Sequence, residues 1–309
     1  MPQGNSFPNS SFSHNVGNQH SYTTGNVYFV DSGATNTSDG NPGHNPSKPL
    51  ATLNGAMDRV TANQGDIIYL MPGHSESLDS ATDAVCDVAG VKIIGIGEGR
   101  TKPAFTFSGT AGSFEMNAAN TLIENVRFLA SVSAVVVGVN VDADGITIRD
   151  CEWDWEDTGD DFLIMVDATA VDYVTIENNR MIAESAAGAA EAIIFRGSDN
   201  LTIRGNWISG DFSEAAIFGT TDTSETNSLG VGLLIEHNNI YQQDAAAATN
   251  GIDIMVAATG LIAHNNIGTL FATAAANAGL DPGSCLCVEN YVVNAIDEHA
   301  VRTPIVSST

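Results

Sequence analysis

Short runs of alternating apolar and polar residues return along this chain at a near-constant stride. Leu122-Ile123-Glu124-Asn125-Val126 is followed by Thr147-Ile148-Arg149-Asp150-Cys151 and Thr175-Ile176-Glu177-Asn178-Asn179. Then come Thr202-Ile203-Arg204-Gly205-Asn206, Leu234-Ile235-Glu236-His237-Asn238, Leu261-Ile262-Ala263-His264-Asn265 and a weaker Leu286-Cys287-Val288-Glu289-Asn290. Measured between the central apolar anchors, the steps are 25, 28, 27, 32, 27 and 25 residues. Ile94 and Ile68 extend the series towards the N-terminus. A β-type repeat of this length cannot bury its apolar face alone and must stack on its neighbours. The fold predicted is all-β: a single-stranded right-handed parallel β-helix, or solenoid, with an N-terminal capping helix.

Side-chain alternation along a strand fixes what faces inward. The anchors and the residues two before them (Ile146, Val174, Leu201, Leu233) should share the interior. A second inward file lies five residues after the anchors: Phe128, Trp153, Met181, Ile208, Ile240, Ile267 and Val292. Three after the anchors run Asn179, Asn206, Asn238, Asn265 and Asn290. Asparagine tolerates left-handed backbone, so these residues predict a repeated tight bend with an amide ladder. Beside the anchors the charge alternates through Glu124, Arg149, Glu177, Arg204 and Glu236. Arg127, Glu152 and Arg180 alternate in the opposite phase. Coils about 4.8 Å apart would otherwise stack like charges, so the alternation specifies register.

The organisation predicted is a flexible polar arm over residues 1–25 and a β-helix domain over 26–309. Within the domain, a cap helix spans about 47–61, with Leu53, Ala56, Met57 and Val60 on one face. Coils span about 65–292, and a short tail follows over 293–309. The cap helix would cover the open first edge of the sheet.

With 37 acidic and 11 basic side chains, the formal charge of −26 argues against nucleic acid and anionic membranes as partners. No apolar stretch is long enough for a bilayer span, and no secretion signal is visible, so assembly in a cytoplasm is expected. Cys86, Cys151, Cys285 and Cys287 lack zinc spacing and read as buried thiols.

Candidate chemistry concentrates in Asp142–Asp161, which holds nine carboxylates and one arginine. Asp154, Glu156, Asp157, Asp160 and Asp161 form an acidic loop. Paired carboxylates there could act on a glycosidic bond, or several together could hold Ca²⁺ weakly. Asp160-Asp161 resembles the paired aspartates of polygalacturonases, but that family's Asn-Thr-Asp, Gly-His-Gly and Arg-x-Lys motifs are absent. A solvated loop is the expectation, with no catalytic residue and no cofactor. His237 and His264 stack as a structural pair, and His74 and Glu76 belong to a turn. The outward position before each anchor changes from Thr147, Thr175 and Thr202 to Leu234, Leu261 and Leu286. Three stacked leucines predict an exposed contact stripe, read as the interface of a homotrimer.

VYFVDSGATNTSDGNPG, KPLATLNGAMDRV, GDIIYLMPGHSES and VAGVKIIGIGEGRTKP, within Val27 to about Pro103, resemble a family of bacteriophage-encoded β-helix proteins. The later coils are generically pectate-lyase-like. The resemblance implies a virion structural protein with capsid or other virion proteins as partners, assembled in the host cytoplasm, and it transfers no catalytic residue. The expectation is a non-enzymatic capsid decoration or cement protein, held by its arm or by a subunit interface. The alternatives are a tail-spike or fibre protein that binds or cleaves host polysaccharide, and a polysaccharide lyase or hydrolase.

Overall fold

A computed structural model describes residues 23–183, 188–220, 230–243, 249–254, 257–270, 279–293 and 300–302. Among them the chain winds through three sheets of ten, eight and ten strands, each built from every third strand of the sequence apart from the first and last strands, which add to the ends of two of the sheets. The anchor sheet runs from Val27–Val30 to Leu286–Val288, and the second sheet from Ser75–Leu78 through Asn290–Val293 to Ala300–Arg302. The third, which we call the long-strand sheet, includes strands of seven to nine residues: Val135–Val141, Phe162–Thr169, Ala189–Arg196 and Phe212–Thr220. This is the parallel β-solenoid that the stride predicted.

The anchors stack in one file. Ile123, Ile148, Ile176, Ile203, Ile235, Ile262 and Cys287 are successive register partners. Phe128, Trp153, Met181, Ile208, Ile240, Ile267 and Val292 form the second file. Both files are buried, as are Ile146, Val174, Leu201 and Leu233, in one continuous core. Apolar burial at about 25 cal/mol per Å² makes this shared interior the main stabilising term.

One anchor differs from expectation. Ile93, not Ile94, pairs with Ile123 and with Ile68. Ile94 pairs with Glu124 and Tyr69 on the outer face, where it is nonetheless fully buried.

The bend also differs by one residue. The left-handed residue lies two after the anchor, as in Asn125, Asp150, Asn178, His237, His264 and Glu289, with Gly205 in the same place. The asparagine that follows points inward and makes the ladder. Asn179 Nδ2 donates to Asn206 Oδ1 at 3.1 Å, Asn206 to Asn238 at 3.0 Å, and Asn238 to Asn265 and Asn265 to Asn290 at 2.9 Å. Each Oδ1 also accepts the backbone N–H of the residue one coil earlier, and each Nδ2 donates to an anchor carbonyl such as Ile176 O. The file stops at Cys151, whose N–H donates to Asn179, and Val126 replaces the amide one coil earlier.

The N-terminal edge begins earlier than predicted. Val27–Val30 is already a strand of the anchor sheet, so the coils start there and not near residue 65. The helix spans Leu53–Met57 instead of 47–61. Leu50 is held extended by the edge strand: its N–H donates to Phe29 O, and Asp31 N–H donates to Leu50 O. Thr52 caps the short helix by accepting Gly55 N–H, and Asn54 covers the edge of the long-strand sheet by accepting Val85 N–H. At the other end Ala300–Arg302 pairs antiparallel with Asn290–Val293, within the stretch expected to be a tail. The arm predicted over residues 1–25 lies, up to residue 22, outside the described residues.

Candidate functional site

The solenoid sorts the candidate residues onto separate faces. The acidic loop connects the second sheet to the long-strand sheet. Asp157 N–H donates to Asp160 Oδ2, and Asp160 N–H to Asp157 O, which is a tight self-bonded turn. Glu156 and Asp157 are exposed, whereas Asp161 is buried with Oδ1 accepting the Phe162 N–H. Asp154 points elsewhere: it meets Arg127 at 3.3 Å and Arg180 at 3.9 Å. Trp153 is wholly buried and donates to Met165 O, so its ring faces the core. Among the described residues no three His, Cys, Asp or Glu side chains converge as metal ligands. The five carboxylates therefore do not form one site.

The alternating charges bond across coils. Arg149 reaches Glu124 at 2.7 Å, and Arg204 reaches Glu177 at 2.5 Å. In the opposite-phase file Glu152 lies in register between Arg127 and Arg180, yet its carboxylate turns to Lys102 at 2.8 Å. Lys102 also donates to Asp150 O and is nearly buried. Burial and the neighbouring Glu124 push the Asp150 carboxyl up.

Leu234, Leu261 and Leu286 are direct register partners, continuing the file of Thr147, Thr175 and Thr202. Leu234 and Leu261 are half-buried, and Leu286 is 70% exposed. Exposed Val288 lies two residues along on the same outer face. The other expectation for this stripe is a covering loop from the 32-residue step containing Gly210 to Gly232, of which residues 221–229 lie outside the described residues.

His237 and His264 stack with ring centroids 5.0 Å apart, 3.6 Å from Glu236 and 3.4 Å from Glu289 respectively. Both occupy the left-handed bend position, which explains their alignment. His74 Nδ1 accepts the Ser32 N–H, and its Nε2 lies 2.8 Å from Glu76 Oε1, which also accepts the Leu53 N–H. That network ties the first coil to the cap. All four cysteines are buried free thiols, and burial pushes Cys151 up to about 12 and Cys285 to about 11.

A further carboxylate group lies on the outer face of the long-strand sheet. Glu191 pairs with Ile164 and Ala215 and is only 5% exposed. Burial first, then Glu214 and Asp167, raise its carboxyl to about 7 against the opposing pull of Arg196. Among the described residues its side chain makes no hydrogen bond. Asp253, in register with Asp281, is also pushed up by burial. A near-neutral carboxyl beside other carboxylates is an arrangement that acid–base chemistry on glycosidic bonds uses. The sequence signal for it was a lone charge inside the apolar run Ala189–Phe195.

No family model matches the sequence, and no curated protein is similar to it. Among solved structures, pectate lyase Pel9A is similar with a TM-score of 0.52 and 11% identity, over 91% of this chain and 80% of that one. A rhamnogalacturonan lyase aligns with 12% identity and a TM-score of 0.49, over 83% of this chain and 75% of that one. At this identity the likeness shows the fold, a pectate-lyase-like parallel β-helix, and nothing further.

Proposed function

We propose that this chain is a non-enzymatic structural protein of a bacteriophage particle, a decoration or cement component that associates with two further copies of itself. The observation that carries the reading is the outward leucine file, which ends in the 70% exposed Leu286. A half-buried apolar file that opens to solvent at Leu286, on a chain of charge −26, supports a contact surface in need of a partner. The resemblance of the N-terminal quarter supports the particle setting, because its stretches supply the edge strand, the short helix and the first coils. Light scattering tests the interface: Leu261→Asp should reduce a trimer to monomers, and an unchanged mass overturns it. Quantitative mass spectrometry of purified particles tests the setting. Hundreds of copies are expected, and absence from particles overturns it.

A second reading, a polysaccharide-cleaving β-helix protein, is favoured by Glu191 on the long-strand sheet. It also fits similarity to a pectate lyase. Reducing-end release from a polysaccharide panel, lost in Glu191→Gln, would establish this reading over the first.

A further inference from the structure

The outer face of the second sheet changes character along the axis. Its first outward file reads Arg127, Glu152 and Arg180, and then Trp207, Asn239, Asn266 and Tyr291. The parallel file two residues along reads Ser209, Tyr241 and Gly268 over the same late coils. From Trp207 onward neither file holds a charge, on a chain of formal charge −26. Trp207 is 61%, Tyr241 44% and Tyr291 38% exposed. Trp207 and Tyr241 in particular hold large aromatic side chains in water on regular strands, which is costly unless a partner covers them.

The polar groups between the rings are specific. Asn239 and Asn266 are exposed, and Asn266 Nδ2 donates to Asn239 Oδ1 at 2.9 Å. This outer amide pair leaves the Asn239 amide hydrogens and the Asn266 carbonyl oxygen turned to solvent, so it offers both donors and acceptors. Gly268 sits in register beside Tyr241, and a Cβ there would stand 3.2 Å from the Tyr241 ring. Glycine lets that ring rest low over the next coil. Gln243 donates to Ser209 Oγ at 3.0 Å and so fixes the margin.

We propose that this face binds a neutral, linear polysaccharide lying along the solenoid axis. Trp207 and Tyr291 are three coils apart, about 14 Å at strand spacing, which is the reach of a short oligosaccharide. Pyranose rings present C–H faces that pack on aromatic rings and hydroxyls that bond amides, and this face alternates those two kinds of group. Charge selects among glycans: a polyanion such as polygalacturonate meets the repulsion of the acidic chain, and a neutral chain does not. The face lies on a different sheet from Glu191 and from the leucine file, so it is independent of both readings above.

Affinity electrophoresis through gels containing glucan, xylan, mannan or polygalacturonate tests the proposal. Retardation by at least one neutral polymer is expected, with little by polygalacturonate. Trp207→Ala and Tyr241→Ala should each weaken it about tenfold or more. Both residues point outward, so unchanged thermal melts will separate lost binding from lost folding. Tyr173→Asn is the control: Tyr173 is 65% exposed at φ 59°, off these files, and asparagine accepts that backbone. Its retardation should equal the parent's. No retardation by any neutral polymer overturns the proposal, as does retardation unaffected by Trp207→Ala and Tyr241→Ala, or lost equally in Tyr173→Asn. A fall in molecular mass in Trp207→Ala without glycan retardation assigns the face to a second copy instead, and overturns it too.

Discussion

The coils from Ile123 to Ile203 and those from Ile235 to Cys287 share one interior and wear different exteriors. Inside, both continue the same apolar files, and one amide ladder joins Asn179 to Asn290. Outside, the earlier coils carry threonines and cross-coil ion pairs, while the later coils carry leucine, histidine, tyrosine and asparagine. The interior holds the winding, so the outer positions are free to differ from coil to coil. Exposed leucine and aromatic side chains concentrate where the Arg–Glu pairs end.

This contrast orders the expected effects of mutation. The largest belongs to the shared ladder. Asn206→Ala strips partners from the buried Asn179 N–H and Ile176 carbonyl, and should cost roughly 3 kcal/mol in chemical denaturation. A loss below about 0.5 kcal/mol would show that the ladder contributes little.

Glu191 comes next, because it is a buried charge on an outer face. Its folded carboxyl lies near 7, above the ordinary 4.5. The stability associated with its protonated form is therefore complete below about pH 4.5 and lost as pH rises through about 7. Glu191→Gln should match the parent at pH 4 and be more stable at pH 8 by on the order of 2 kcal/mol. Parallel stability curves across that range would remove Glu191 from consideration as a perturbed acid.

The ion pairs should matter least, and unequally. Arg149 and Glu124 are 17% and 13% exposed, whereas Arg204 beside Glu177 is 50% exposed. Double-mutant cycles should give about 1 kcal/mol for the first pair and less than about 0.5 kcal/mol for the second. The reverse order would mean that burial does not govern these pairs.

The anchor and second-sheet files were legible because a phrase repeats and side chains alternate strictly there. Ile93 was misplaced by one because its neighbour Ile94 is equally apolar, and the outer face at that point is covered. The left-handed position was misplaced because asparagine occupies both candidate sites in Asn178-Asn179, and only the backbone distinguishes them. The long-strand sheet was opaque for a different reason. Met165 and Val166 both belong to the core, as do Ala192 with Ile193 and Ala216 with Ile217. Two successive inward residues break the period of two, so alternation could not reveal that Glu191 faces out. The acidic loop drew notice by charge density, but its aspartates bond to their own turn or to arginines of other coils.

The amide file has a consequence for how such a molecule changes size. Every rung between Asn179 and Asn290 makes the same bonds above and below, so the file contains nothing that counts rungs. Among the described residues the winding opens on the covered strand Val27–Val30 and closes on the antiparallel pair with Ala300–Arg302. A coil inserted or excised within the ladder leaves its amide bonds repeating. Excising the Glu177 coil, by contrast, would stack Arg149 on Arg204, so the outer charges and not the amides limit which coils can change in number.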